Sequence, residues 1–165
     1  MIKSVLIFNQ LGKPRLIKFY EPVDTRTQQE ILREIHSLVA KRPDNLCYFL
    51  EASGRLLDGD NTRIVYRHYA TLFFVFVVDL SESELGITEL IQVFVEALDR
   101  VFEDVCELDL IFHFDEVHYI LSEVVMAGMV AETNLQEISR AVSDARRQAK
   151  PESEQSRFAL PTIRR

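Results

Sequence analysis

The stretch that most constrains the fold is an unbroken apolar run at residues 72–78 (LFFVFVV). Its β-branched and aromatic side chains suit a pleated strand. A buried turn of helix would give the same run, since periodicity alone does not separate the two. The run is short, however, and the polar segment 79–84 (DLSESE) follows at once. A strand that is apolar on both faces must be covered on both faces. We therefore predict that residues 70–78 form the central strand of a sheet with helices packed on both sides.

A long amphipathic helix is predicted directly after this strand. Ser81 stands three residues before Glu84, which is the spacing of a capping box. Apolar residues then recur at helical intervals, as expected for a helix that lies on a sheet. They are Ile87, Leu90, Ile91, Phe94, Leu98, Val101 and Phe102. A second apolar cluster follows at residues 105–112 (VCELDLIF).

The residues before the central strand alternate between strand and turn patterns, with one helix among them. Residues 2–20 are predicted to form a β-hairpin that turns at Gly12. A helix over residues 25–41 is expected to begin at a capping box of Thr25 and Gln28 and to end before Pro43. Two more strands are predicted at residues 47–51 and 64–66, with turn-forming residues at 53–54 and 58–61.

After the long helix the sequence predicts two further helices and a tail. Residues 115–127 show an apolar stripe that Gly128 is placed to end. Another helical pattern begins at Asn134. The order β-β-α-β-β-β-α-α-α predicts an α+β fold in which an antiparallel sheet of five strands is sandwiched by helices. We expect one domain over residues 1–145 and a disordered tail over residues 146–165, which are polar and weakly apolar.

Charge and hydropathy exclude several classes of function. The chain has 165 residues, a net charge of −7 and a pI near 5.1, which argue against a nucleic-acid surface. No apolar segment reaches the ~18 residues needed to span a bilayer, and the N-terminus lacks the pattern of a signal peptide. These observations predict a cytoplasmic protein that contacts membranes, if at all, through partners.

The sequence gives little support to catalysis, a metal or a cofactor. Cys47 and Cys106 form no CxxC pair, and Cys106 lies near the apolar residues Val105 and Leu108, so we expect it to be a buried structural thiol. His113 and His118 are five residues apart, whereas a helical metal pair needs a spacing of four. His36 and His68 are expected to be ordinary packed or exposed histidines. We therefore predict no catalytic residue, no metal site and no cofactor, while a cysteine or histidine enzyme stays an open alternative.

Two groups of basic residues stand out in this acidic chain. One consists of Lys13, Arg15 and Lys18 on the N-terminal hairpin. The other contains Arg63, Arg67 and His68. Each group has two interpretations, either a solvated strand face or a site for an acidic segment of a partner.

Several separate segments, all in the expected order, resemble the clathrin-adaptor small chains over about residues 1–140. These segments are residues 1–9 (MIKSVLIFN), 12–16 (GKPRL), 66–70 (YRHYA), 83–87 (SELGI), 105–112 (VCELDLIF) and 129–133 (MVAET). Within that family, the long turn at 52–62 and the segment 81–86 are most similar to the sigma chains of adaptor protein complex 3.

The resemblance implies a longin-like (profilin-like) fold and a place in a heterotetramer. The direct partner would be the trunk of a delta-type large adaptin, with a beta-type large chain and a medium (mu) chain in the same complex. It further implies a non-enzymatic role in vesicle transport from Golgi or endosomes towards the lysosome or vacuole. The chain would lie peripherally on those membranes, held there by the complex.

The resemblance also implies a binding site for acidic dileucine signals, [DE]xxxL[LI], in cargo tails. The pocket for the two leucines would use Ala70, Leu72, Val95, Val105 and Leu110. The family arginine that faces the upstream acidic residue corresponds to Arg15. Asp104 departs from the family pattern, which often has Asn there, and an ionised carboxylate donates no hydrogen bond and repels an acidic ligand.

Two related trafficking modules are alternatives to the adaptor small chain. The first is another longin-type subunit, such as the coatomer small chain. The second is a longin SNARE, which needs a long heptad stretch after the domain. Residues 146–165 contain no such stretch, so the sequence disfavours the SNARE.

Overall fold

A five-stranded antiparallel sheet forms the centre of the computed structural model, which describes residues 1–42, 48–51 and 61–149. The strands lie in the order β2-β1-β5-β4-β3. Their bounds are β1 Ile2–Asn9, β2 Pro14–Phe19, β3 Phe49–Glu51, β4 Thr62–Tyr69 and β5 Leu72–Asp79. The helices are α1 Thr25–Val39, α2 Glu84–Phe102, α3 Glu107–Phe112, α4 Phe114–Val124 and α5 Leu135–Ala149. A small hairpin of β6 Val125–Met126 and β7 Met129–Val130 separates α4 from α5.

The apolar run is the central strand β5, as predicted, although β5 begins at Leu72 and not at residue 70. Its side chains alternate between two cores. Phe74 and Phe76 face the side of the sheet that α2, α4 and α5 cover. Val75 and Val77 face the opposite side, which α1 covers. The strand is therefore apolar along both faces because each face is packed against helix. This arrangement confirms the predicted α+β fold with helices on both sides of a five-stranded antiparallel sheet.

Helix α1 begins at residue 25 as predicted, but the N-cap residues of α1 and α2 lie one and two residues away from the predicted ones. The N-cap of α1 is Asp24, whose carboxylate accepts from the backbone N–H of Thr27, and not Thr25. The N-cap of α2 is Ser83, whose hydroxyl accepts from the N–H of Gly86. Ser81 instead donates its hydroxyl to Asp79 at the end of β5. Hydroxyl and carboxylate groups compete for the same free N–H groups, so spacing alone did not select the cap.

The region after α2 differs more from the prediction. The helix predicted over residues 115–127 ends at Val124, and Gly128 lies in the turn between β6 and β7 with a φ of +78°. The backbone N–H of Ile2 donates to the carbonyl of Gly128 at 2.8 Å, which ties this hairpin to the sheet. The short helix α3 was not predicted. Cys106 precedes it and is exposed, so its predicted burial is wrong.

Several predictions fall on residues that the structure leaves undescribed. They are Pro43, Cys47, the turns at 53–54 and 58–60, and the tail from residue 150 onwards. Helix α5 continues to Ala149, past the predicted domain boundary at residue 145, and that boundary stays a prediction. Among the described residues, no helix combines the length and the apolar character needed to cross a membrane.

Candidate functional site

A β-bulge in strand β2 determines the position of Arg15. Ile7 of β1 pairs with Leu16, but the next residue, Phe8, pairs with Pro14, so Arg15 is the extra residue of β2. Bulges turn the side chain of the extra residue away from the regular alternation of the strand. Without the bulge, Arg15 would share a face with Ile17, which packs towards α1. With it, Arg15 reaches the opposite side of the sheet, where α3 begins.

There the guanidinium of Arg15 forms an ion pair with Glu107, the first residue of α3. Its Nη2 and Nε atoms lie 2.7 and 2.8 Å from the same carboxylate oxygen, Oε1. Asn9 donates its Nδ2 hydrogen to that oxygen at 3.1 Å, and the Thr71 hydroxyl lies 3.4 Å from Oε2. Both charged side chains are largely covered, with 19% of Arg15 and 26% of Glu107 exposed. The Glu107 carboxylate thus links the start of α3 to β1, β2 and the β4–β5 turn.

The pKa values near this pair follow from its charges. Arg15 holds the pKa of the Glu107 carboxyl below its ordinary value, because the cation favours the ionised form, and Asn9 and Thr71 act in the same direction. The Asp109 carboxyl also has a lowered pKa, since it accepts the backbone N–H of Cys106 at 2.9 Å. At neutral pH, α3 therefore begins with two ionised carboxylates.

The five apolar positions predicted for a leucine pocket do not have the same exposure. Leu72 and Leu110 are buried in the core between the sheet and the helices. Val95 and Val105 are half-buried and pack against that core. Ala70 is exposed in the two-residue turn between β4 and β5, with a φ of +51°. The structure thus brings four of them to one core, and Ala70 lies beside Thr71 at its edge.

Asp104 lies in the connection between α2 and α3, where the backbone adopts left-handed conformations. Its φ is +73°, and its side chain is exposed. The neighbouring N–H of Val105 donates to the carboxylate of Asp99 at 3.1 Å. Val105 therefore lies between the exposed side chain of Asp104 and the Asp99 carboxylate at the end of α2.

An open surface groove lies next to Arg15, between β2 and α4. Its lining residues are Pro14, Arg15, Leu16, Ile17, Phe114 and His118. Burial lowers the pKa of His118, and the nearby charge of Lys18 lowers it further. The imidazole is accordingly neutral at neutral pH, so this groove combines one guanidinium with apolar walls.

The second predicted basic group is engaged by neighbouring side chains. Arg63 forms a 3.2 Å ion pair with Glu84. The guanidinium of Arg67 lies over the rings of Tyr48 and Tyr69, at 5.8 and 5.3 Å from their centroids. These contacts favour a structural role for this group over a site for an acidic partner.

The described side chains that could bind a metal ion do not come together in one place. Among residues 1–42, 48–51 and 61–149, no cluster of three or more His, Cys, Asp or Glu is placed to hold a metal ion. His113 is exposed beside Phe102, and His36 contacts the carbonyl of Gln10 at 3.1 Å.

Sequence reasoning missed the residue around which this site is built. Glu107 follows Arg15 by 92 positions, and only the sheet register and the bulge bring the two together. Its carboxylate also accepts hydrogen bonds from Asn9 and Thr71, which sequence reasoning did not single out. The one signal in the sequence was the acidic start of the segment at residues 107–112 (ELDLIF).

Comparison with known proteins gives one consistent result. Residues 1–149 match the family model described as clathrin adaptor complex small chain. AP-3 complex subunit sigma-2 of Homo sapiens is 59% identical over 152 residues, which cover 92% of this chain and 78% of the relative. AP-3 complex subunit sigma of Dictyostelium discoideum is 62% identical over 136 residues, covering 81% and 79%. The corresponding protein of Schizosaccharomyces pombe is 59% identical over 144 residues, covering 87% and 86%.

A structural neighbour agrees with these relatives. It is a chain of a structure described as a homology model of the full-length AP-3 complex in a stretched open conformation. The two chains superpose with a TM-score of 0.71 at 41% identity, over 94% of this chain and 98% of the neighbour.

Proposed function

The chain belongs to the clathrin adaptor complex small chain family, and from that premise we propose that it is the sigma subunit of a heterotetrameric AP-3 type adaptor complex. The observation that carries this proposal is the family match over residues 1–149, which includes every described strand and helix. The role is one of assembly and ligand binding in vesicle transport, without catalysis. On this proposal the chain works at Golgi or endosomal membranes, in traffic towards the lysosome or vacuole, and contacts them through the complex.

The proposed direct partner is the trunk of a delta-type large chain, joined in the complex by a beta-type large chain and a medium chain. Exposed apolar side chains support such assembly, because a stable subunit interface buries a large apolar area. On and beside α3, Phe112 is 73% exposed, and Leu108 and Phe114 are also exposed. On the β6–β7 hairpin, Met126 and Met129 are exposed next to each other.

Assembly is tested by isolating the protein from its own cells through a C-terminal tag and identifying the co-purifying chains. Two large chains and one medium chain in near-equal amounts are the expected result. Recovery of the protein alone would contradict the proposed subunit role.

The proposed ligand is an acidic dileucine segment of a cargo tail. Arg15 would pair with the upstream acidic residue, and the half-buried Val95 and Val105 would contact the leucines over the core that contains Leu72 and Leu110. Burying two leucines contributes roughly 3–6 kcal/mol gross, and an Arg–carboxylate pair that solvent still reaches contributes roughly 0–1 kcal/mol. Ordering a flexible tail offsets part of this gain. We therefore expect roughly micromolar affinity, which becomes useful when several contacts act together on a membrane.

Arg15→Ser tests the ionic part of this site. In a sigma–large chain complex, we expect a roughly two- to fivefold loss of affinity for a fluorescent peptide with one acidic residue and two leucines. The measurement is fluorescence anisotropy, with wild type and variant at the same ionic strength.

Arg26→Ser is the matched control, since Arg26 forms an exposed ion pair with Glu30 on α1, across the sheet from Arg15. It should leave the affinity unchanged, and a peptide with two alanines in place of the leucines should bind neither protein. Equal affinity of wild type and Arg15→Ser for the dileucine peptide would remove Arg15 from the site.

A further inference from the structure

Arg15 already has an acidic partner within its own chain. The carboxylate of Glu107 contacts the Nε and Nη2 atoms of Arg15, which is the edge of a guanidinium that commonly receives a carboxylate. Asn9 and Thr71 hold the same carboxylate from β1 and from the β4–β5 turn. An acidic side chain that approaches this edge from outside meets a site that is already occupied and already neutralised.

We propose that Glu107 is an internal competitor that an acidic ligand residue must displace from Arg15. This inference rests on the proposed dileucine function and concerns the regulation of that same site. In the free protein, Glu107 holds Arg15 in an ion pair that closes the polar end of the site. In the bound protein, the ligand carboxylate takes over the guanidinium edge, and the Glu107 side chain turns away towards solvent.

The contacts of Glu107 explain why such an exchange is feasible. Within the described part of the chain, its carboxylate is held by three side chains, those of Arg15, Asn9 and Thr71, and by no backbone N–H. A change of side-chain rotamer therefore releases it without moving the backbone of α3. About a quarter of the side chain is exposed, so solvent is available to the released carboxylate. Leu110 is buried, and keeps α3 anchored during the exchange.

Electrostatics gives the direction of the effect. Two ionised carboxylates near one guanidinium repel each other, so each weakens the binding of the other. Glu107 then lowers the affinity for any ligand with an acidic residue at that position, and has no effect on a ligand without one. If Glu107 instead oriented Arg15 for the ligand, removing its charge would lower the affinity for the acidic ligand. The two roles thus predict changes of opposite sign.

The test is Glu107→Gln in the sigma–large chain complex, with two peptides that differ only at the acidic residue upstream of the leucines. For the acidic peptide we expect about threefold tighter binding than wild type at low salt. For the peptide with alanine at that position we expect unchanged affinity. The gain for the acidic peptide should shrink as the ionic strength rises, because salt screens partly exposed charges.

Three further variants make the result specific. Glu30→Gln removes the same charge from the Arg26–Glu30 pair on α1, across the sheet, and should change neither affinity. In the double variant Arg15→Ser/Glu107→Gln, the gain from Glu107→Gln should disappear. Glu107→Ala provides a second measurement of the same effect should Glu107→Gln fail to assemble, since it removes the charge by truncation.

The outcomes separate this inference from the function on which it rests. If neither peptide binds wild type or variant, the proposed dileucine function fails, and the inference fails with it. If the acidic peptide binds wild type as tightly as or more tightly than Glu107→Gln, only the inference is overturned. An equal gain for both peptides also overturns it, since that result indicates a general change of the site. A gain for the acidic peptide alone establishes the competition.

Discussion

The hydrophobic cores on the two faces of the sheet differ in size; we call the face with the larger core the deeper face and the other the shallow face. Among the described residues, α1 and the sheet share a cluster of ten buried residues on one face, whereas α2, α3, α4 and α5 share a cluster of twenty-three with the sheet on the other. The apolar part of the candidate site lies on the deeper face, and the bulge brings Arg15 to that face too. Binding residues are thus placed where several helices fix the framework, while the shallow face depends on one helix.

The largest expected effects come from truncating one core residue on each face. Phe94→Ala on α2 should lower the free energy of unfolding by ~3–5 kcal/mol, and Ile35→Ala on α1 by ~2–4 kcal/mol, because both side chains are fully buried. Chemical unfolding of the purified protein measures both. Hydrogen exchange should separate the faces: Ile35→Ala should release α1 while α2 keeps its protection.

The matched control for these truncations is Leu85→Ala, on α2 but 66% exposed. It should change stability by no more than ~0.5 kcal/mol. If Ile35→Ala accelerated exchange equally in α1 and α2, the two faces would unfold as one unit, and the expected difference between them would be absent.

Two glycines with positive φ give a smaller contrast. A Cβ on Gly128 would lie 2.5 Å from the carbonyl oxygen of Ile2, whereas a Cβ on Gly12 would lie 2.9 Å from the ring of His36. Backbone cannot move aside as a side chain can. We expect Gly128→Ala to cost ~2–3 kcal/mol and Gly12→Ala ~1–2 kcal/mol. Thermal unfolding of the two variants would contradict this explanation if Gly12→Ala proved the more damaging.

The smallest effect concerns Tyr20, which packs against the deeper core. Burial raises the pKa of its phenol to about 12, and its hydroxyl donates to the carbonyl of Val125 at 3.3 Å. The unfolded chain loses this proton near pH 10, so between about pH 10 and 12 the folded state binds more protons than the unfolded state. Stability should therefore fall over this interval, by ~1–2 kcal/mol after allowance for partial solvent access. Urea unfolding at several alkaline pH values measures the slope.

Tyr20→Phe is the control for this pH dependence. The variant loses the hydrogen bond at every pH, but this part of the alkaline decline should disappear. A decline of the same slope in the variant would assign the effect to another group.

Much of the fold could be predicted because local patterns and burial agree in it. Strand β5 is apolar on both faces, and α2 carries a regular stripe, so their places in the structure follow from sequence. Boundaries were less predictable, since Ser81 and Ser83 are both plausible caps and only the geometry at the end of β5 decides between them. Gly128 suits a helix end as well as a hairpin turn, and its bond to Ile2 comes from a distant strand.

The candidate site was less predictable than the fold, for physical reasons. Arg15 could be singled out by its charge and by resemblance, but its orientation depends on a bulge that nothing in the local sequence requires. Glu107 gains its importance only through residues far away in the chain. Leu108 and Phe112 are large apolar residues of the kind that fill cores, yet both are exposed. Sequence patterns report local conformational preference. The orientation of Arg15 and the contacts of Glu107 depend instead on residues that are distant in the chain and adjacent in the fold.

The order of strands in the sheet also affects how the chain folds. The β1–β2 hairpin and the β4–β5 hairpin each form between neighbours in sequence, but the sheet is complete only when Asn9 at the end of β1 pairs with Leu72 at the start of β5. That pairing closes a long loop, whose entropic cost must be met before the central contacts form. During synthesis, β1 therefore cannot pair with β5 until β5 has left the ribosome. Until then, the apolar side chains of Leu6 and Phe8 are covered by the first hairpin and α1.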